Sequence, residues 1–238
     1  MNAWIDRLLA DPDMQRMGHN QRPEDGNLGL GWLYYALGRI VRPKQAVVIG
    51  SWRGFVPLIV ARALADNLEG GDLLFIDPSL VDRQWRDPER VQAFFARHDL
   101  DNVRHVPMTT QEFAASDEMA ALPEIQYLFV DGYHTAEQAR FDYEAFAPKL
   151  VTHGFALFHD SMIRRRSRIY GEENAYEMNV PDYIDELRGD ASVEVLDVPF
   201  GTGVTLLRKR GPGSDRPRLE GIEGRCQVRA DGSERVTS

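Results

Sequence analysis

Short apolar runs recur along the chain, and each ends in a polar or glycine-bearing corner. Gln45 to Ile49, Asp72 to Ile76, Ile125 to Val130 and Phe155 to Phe158 are mostly apolar rather than alternating, which predicts strands buried on both faces. Val103 to Pro107 predicts a further short strand. Between them, Phe55 to Leu68 is apolar almost all round, as expected of a helix sandwiched deeply, with Pro57 in its first turn where no backbone donor is lost. Pro88 to His98 reads as a helix, and Thr109 to Met119 contains one with Phe113 inward. Thr135 and Gln138 form a capping box, after which Ala136, Ala139, Tyr143 and Phe146 recur at helical spacing until Pro148. Strands joined by helices close as right-handed parallel units, so their carboxyl ends open at one edge of the sheet. Ser192 to Val198 and Gly203 to Leu207, linked by Pro199 to Thr202, predict a terminal antiparallel pair. The expected fold class is α/β, a mostly parallel sheet with that pair at one edge.

The flanks read differently. Trp4, Ile5, Leu8 and Leu9 suggest a short amphipathic helix, Met17 to Gly26 a surface connection or a lid, and Leu28 to Val41 a helix with Leu33, Leu37 and Ile40 or Val41 inward. Residues 1–43 are expected to form a helical cap, 44–208 the α/β domain, and 209–238 a disordered tail rich in glycine, proline and charge. Met162 to Val180 has no clean period and reads as a long loop, either functional or disordered.

Composition narrows the function classes. A net charge of −9 argues against nucleic acid, which draws its binding from clustered cations; Arg164, Arg165, Arg166 and Arg168 are the exception, as a solvated loop or a recruiter of an anionic substrate group. The single cysteine, Cys226, excludes a disulfide framework and a cysteine-rich zinc site. No run approaches a membrane span, and the acidic N-terminus reads as neither signal nor transit peptide, so the expectation is a cytoplasmic protein with a small-molecule partner, a homo-oligomer being left open.

Candidate chemistry lies in the corners. Gly50, Ser51 and Gly54 after the first strand form a turn that lets a ligand approach backbone amides and a helix N-terminus, although such a turn also serves simple tight bending. Asp77, closing the second strand, is placed to accept hydrogen bonds from ribose hydroxyls, with Asp82 in reserve. Asp131 and Asp160 close consecutive parallel strands and should be near neighbours; each also suits a helix or turn cap. Two such carboxylates repel unless a proton, a cation or a basic group sits between them, and with His134 and His159 beside them they suit a divalent cation such as Mg or Mn. His159 and Asp160 are consecutive, so both face one ion only if the strand pleat has ended there. His134 is a candidate proton acceptor, or else a polar turn residue bonded to Asp131.

The blocks NQRPEDG, VVIGSWRGF, FIDP, LFVDGYHTAEQARFDYEAFAPKL and GFALFHDS, in this order, resemble class I S-adenosylmethionine-dependent methyltransferases, and within them the macrocin O-methyltransferase and cephalosporin hydroxylase branch. The resemblance covers about residues 20–207. It implies a Rossmann-like sandwich, with Gly50, Ser51 and Gly54 facing the methionine part of the cofactor, Asp77 the ribose, and Thr109 and Thr110 the adenine. It implies Asp131, His159 and Asp160 as ligands of Mg2+ or a similar cation, with Asp131 also near the cofactor, and His134 at a position where similar catechol enzymes carry a lysine. The activity implied is O-methyl transfer to a hydroxyl of a sugar or secondary metabolite. Val48 departs from the family pattern, which has an acid there, and leaves open a binding relative as well as a hydroxylase-type metal enzyme.

Overall fold

The computed structural model describes residues 2–15 and 17–211. Four parallel strands fall almost where the apolar runs place them: β1 (Gln45–Ile49), β2 (Asp72–Ile76), β3 (Val103–Val106) and β4 (Ile125–Val130). β5 (Leu150–His159) starts earlier than Phe155, because an irregular stretch around His153 and Gly154 shifts its register against β4 before regular pairing resumes at Tyr127 and Phe155. β8 (Val193–Val198) and β9 (Val204–Lys209) form the expected antiparallel pair, giving one sheet in the order β3-β2-β1-β4-β5-β9-β8.

Because side chains alternate across a strand, each central strand feeds two cores. Ala46, Val48, Phe75 and Phe129 point to a layer made by α1 (Asn2–Leu9), α2 (Gly31–Val41), α3 (Phe55–Asp66) and α4 (Pro88–Ala96). Val47, Ile49, Leu74 and Leu128 point to the other layer, with α5 (Thr110–Ala114), α7 (Ala136–Phe146) and α8 (Val180–Leu187). Every residue of α3 from Phe55 to Ala61 is buried, as its unbroken apolar sequence requires.

Four details differ from the pattern-based expectation. The inward face of α2 is Gly31, Tyr34, Leu37 and Gly38, while Ile40 is exposed; a Cβ on Gly38 would lie 2.7 Å from that of Ala63, so the helices touch through backbone and the glycines set the phase. The Thr109 to Met119 helix is two, because Ser116 caps a new one, α6 (Asp117–Ala121). The capping box at α7 is half formed: Thr135 accepts from the Gln138 amide, but the Gln138 side chain turns to Asp142 and Gln111. The long polar loop contains a hairpin, β6 (Arg165–Ser167) with β7 (Tyr176–Met178), whose three-residue strands are too short to leave a period in the sequence.

The expected tail beyond Gly211, with Cys226, lies outside the described residues. Among the described residues no helix is long and apolar enough to cross a membrane.

Candidate active site

The corners of β1, β2, β4 and β5 open into one cavity of about 660 Å³. At its β1–β2 end, Ser51 is buried and its backbone N–H donates to Asp77 Oδ2 at 3.2 Å, while Ser79 N–H donates to Oδ1 at 2.7 Å. Burial raises the pKa of Asp77 to about 6 even though both amides favour its charge. Thr109 and Thr110 line the same end, Thr109 as a reciprocal cap with Glu112. Beside them stands Asp142, buried, accepting from Gln138 Nε2 at 2.7 Å and from the Thr110 hydroxyl.

The two glycines divide. Gly50 lines the cavity, and its left-handed φ of 70° brings its backbone so close to Asp131 that a methyl group there would run into the Asp131 carbonyl. Gly54 does not line the cavity. Its left-handed φ of 91° and the room that its absent side chain leaves for Trp85 and Phe94 both call for glycine. Val48 is fully buried in the layer that holds α2 and α3 and does not border the cavity either.

At the β4–β5 end the two aspartates are joined through histidines. His159 is the last residue of β5, and Asp160 turns with a left-handed φ of 52°, so the pleat ends between them and both side chains border the cavity. His159 Nδ1 lies 2.8 Å from Asp131 Oδ1 and 3.8 Å from Asp160 Oδ1. His134 Nε2 lies 3.6 Å from Asp160 Oδ2 and 3.9 Å from Asp131 Oδ1. Burial lowers the His134 pKa against the pull of both carboxylates. For His159 burial again opposes the charge, but Asp131, by charge and hydrogen bond, together with Asp160 outweighs it and the pKa is raised. Burial likewise works against the charge on Asp160, yet His159 and His134 hold its pKa below the ordinary value.

His19 completes this end and was not legible as a site residue. It comes from the polar stretch before α2, is buried, stacks on Phe55 at 4.9 Å and lies 4.1 Å from the His159 ring. Its Nδ1 is 3.0 Å from the Tyr34 hydroxyl. His19, Asp131 and His159 each bring one donor atom to within 4.8 Å of the others. Asp160 is not part of that group. Its neighbours are His134 at 3.6 Å, His159 at 3.8 Å and Arg165 at 3.9 Å. One carboxylate with two imidazoles fits a borderline divalent ion and fits Mg poorly, since Mg takes chiefly oxygen ligands.

The hairpin walls the mouth. Tyr176 stacks on Tyr133 at 4.0 Å and Tyr170 does so at 5.6 Å, and Trp52 also lines the cavity. The arginine cluster splits: Arg164 pairs with Asp182 and Arg168 with Glu172 on the surface, and Arg165 turns toward Asp160.

Residues 47–161 match the family described as a methyltransferase domain. A solved structure from Corynebacterium glutamicum superposes with TM-score 0.61 at 20% identity, over 90% of this chain and 93% of that one. The O-methyltransferase TomG of Streptomyces achromogenes, in complex with SAM, gives 0.60 at 16% identity over 89% and 91%. An O-methyltransferase from Bacillus cereus, in complex with SAH, gives 0.61 at 13% identity over 88% and 92%. Among curated proteins, the uncharacterized protein y4gI of Sinorhizobium fredii is 28% identical over 153 residues, 61% of this chain, and the chain spans 16% of that protein's length. Over residues 47–161 the chain is thus similar to the methyltransferase-domain family, and its seven-stranded sheet shares the fold of these solved O-methyltransferases.

Proposed function

We propose that the protein is an O-methyltransferase that uses S-adenosylmethionine and a divalent cation to methylate a hydroxyl of a small molecule such as a sugar or secondary metabolite. The observation that carries this reading is the single cavity running from Asp77 and Thr110 to Asp131, His134 and Asp160. One end suits a nucleoside and the other a reacting oxygen, which is the juxtaposition that in-line transfer needs. The cofactor supplies an electrophilic methyl, and a bound cation lowers the pKa of a coordinated hydroxyl.

In this reading Asp77 accepts from the ribose hydroxyls while Ser51 and Ser79 fix its orientation, and Thr109 and Thr110 border the base. Gly50 and Ser51 bring backbone to the methionine portion. Asp131, His159 and His19 are the residues to hold the cation. His134, kept neutral by burial, takes the acceptor proton at Nε2, and the carboxylates 3.6 and 3.9 Å away stabilise the imidazolium that results. The tyrosines of the hairpin wall exclude water and offer flat surfaces to the acceptor.

Calorimetry with S-adenosylmethionine on the wild type and on Asp77→Ala tests the cofactor assignment: binding is expected in the first and strong weakening in the second, and no binding by the wild type rejects it. Once an acceptor is in hand, His134→Ala should lower kcat by about 10²–10⁴-fold with cofactor affinity unchanged. The two imidazoles favour one other reading, a metal oxygenase on the same scaffold. Product formed without any methyl donor would select it.

A further inference from the structure

We propose that His19, Asp131 and His159 form a cation site selective for a first-row transition ion, such as Mn2+, Co2+ or Zn2+, over Mg2+, with His19 as the ligand that completes it. The proposal builds on the metal-assisted reading above and changes both its ligand set and its ion.

Three separate segments converge here: the polar stretch ahead of α2, the end of β4 and the end of β5. Metal–ligand bonds of about 2.0–2.2 Å put neighbouring ligand atoms roughly 3–4 Å apart, so donors already within 4.8 Å need to close by less than about 1–2 Å. Both imidazoles are pre-aimed. His19 is pinned between Phe55 and Tyr34, whose hydroxyl engages Nδ1 at 3.0 Å and leaves Nε2 for an ion. His159 Nε2 is 3.2 Å from the Thr202 hydroxyl, which also reaches the Gly18 carbonyl at 3.5 Å, and this leaves Nδ1 for Asp131 and the ion. Holding the far nitrogen of a ligating histidine is what fixes its ring and tautomer in metal centres.

The donor chemistry then chooses the ion. Mg demands near-octahedral oxygen coordination, whereas imidazole suits the borderline first-row ions. Asp160, the second oxygen that a Mg site would call on, is outside the group of three and lies among His134, His159 and Arg165. His19 also lies outside the matched segment 47–161, so its role rests on geometry alone.

The experiment uses the full chain, stripped with a chelator and titrated with Co2+, following visible d–d absorption. Bound Co2+ is expected in one equivalent, not displaced by millimolar Mg2+. His19→Gln, which keeps a polar side chain of similar reach, should weaken Co2+ by at least about tenfold, and Tyr34→Phe should weaken it less. Asp160→Asn, which removes a nearby charge but no ligand, should weaken Co2+ far less than His19→Gln does, and thermal melts confirm that each variant is folded. Wild-type affinity in His19→Gln, loss of the ion in Asp160→Asn, ready displacement by Mg2+, or no Co2+ bound at all would each overturn the proposal. Calorimetry with S-adenosylmethionine on the stripped protein separates the two claims: ion binding lost with cofactor binding kept rejects the cation site alone, and the reverse rejects the methyltransferase assignment alone.

Discussion

Burial holds Asp142 at a pKa of about 6, although the Thr110 hydroxyl and the Gln138 amide both favour its charge. Its ordinary value is 3.8, so below that pH the folded and unfolded chains are both protonated there and the residue is neutral for stability. As pH rises from about 4 to about 6 the unfolded chain ionises first and stability falls. Above pH 6 the full cost is present, of order 3 kcal/mol for a shift of this size. Asp142→Asn should therefore raise Tm by about 4 °C or more at pH 8 and by less than about 1 °C at pH 4, read from thermal melts at the two pH values. An equal gain at both pH values would show that the charge is not the cause. Asp142 was not singled out from the sequence, because an acid on a helix is ordinarily solvent-facing and this one turns inward to Thr110. His19 carries no mark in the sequence for a related reason. A lone histidine in a polar stretch has no periodicity to mark it, and the partner that gives it meaning, Tyr34, reaches it only through the packing of α2. Asp77, Asp131, His134, His159 and Asp160 were legible because strand ends are visible in the pattern and the parallel topology gathers them at one edge.

Two elements meet through a missing side chain where the β1–α3 turn touches the β4 corner at Gly50. Gly50→Ala has to leave the left-handed region or push Asp131 away; the conformational part alone costs about 1–2 kcal/mol. A loss of at least about 4 °C in Tm is expected, together with weakened cofactor binding, because the same shift moves Ser51 from Asp77. Unchanged melting would mean that the turn adapts freely. Strands were legible at this scale because runs buried on both faces admit little else, and α3 was legible for the same reason. The face of α2 was legible only at Leu37, since helical spacing marks large apolar residues while Gly31 and Gly38 join Tyr34 in making the contact. The hairpin was not either: its contacts are tyrosine rings from β7 and from the β4 corner, which no local period announces.

Over the whole molecule the cavity draws on both ends of the described chain. The turn between β8 and β9 supplies Thr202, the stretch before α2 supplies Gly18 and His19, and the hairpin supplies the outer wall. Tyr176→Ala removes the 4.0 Å stack that pins the hairpin to the β4 corner without touching the sheet. Its expected outcome is a raised KM for the acceptor with cofactor affinity retained, and faster tryptic cleavage among Arg164 to Arg168. Cleavage no faster than in the wild type would show the hairpin held by other contacts.

The position of His19 has a practical consequence. The homologous segment begins at Val47, yet one of the three donor side chains is contributed by an arm well ahead of it. A chimera or trimmed version that starts at the first strand would leave the imidazole behind, and with it α1 and α2, which pack on one face of the sheet. Such a piece should lose transition-ion loading together with that core layer, so the arm and the sheet travel as one inheritable unit.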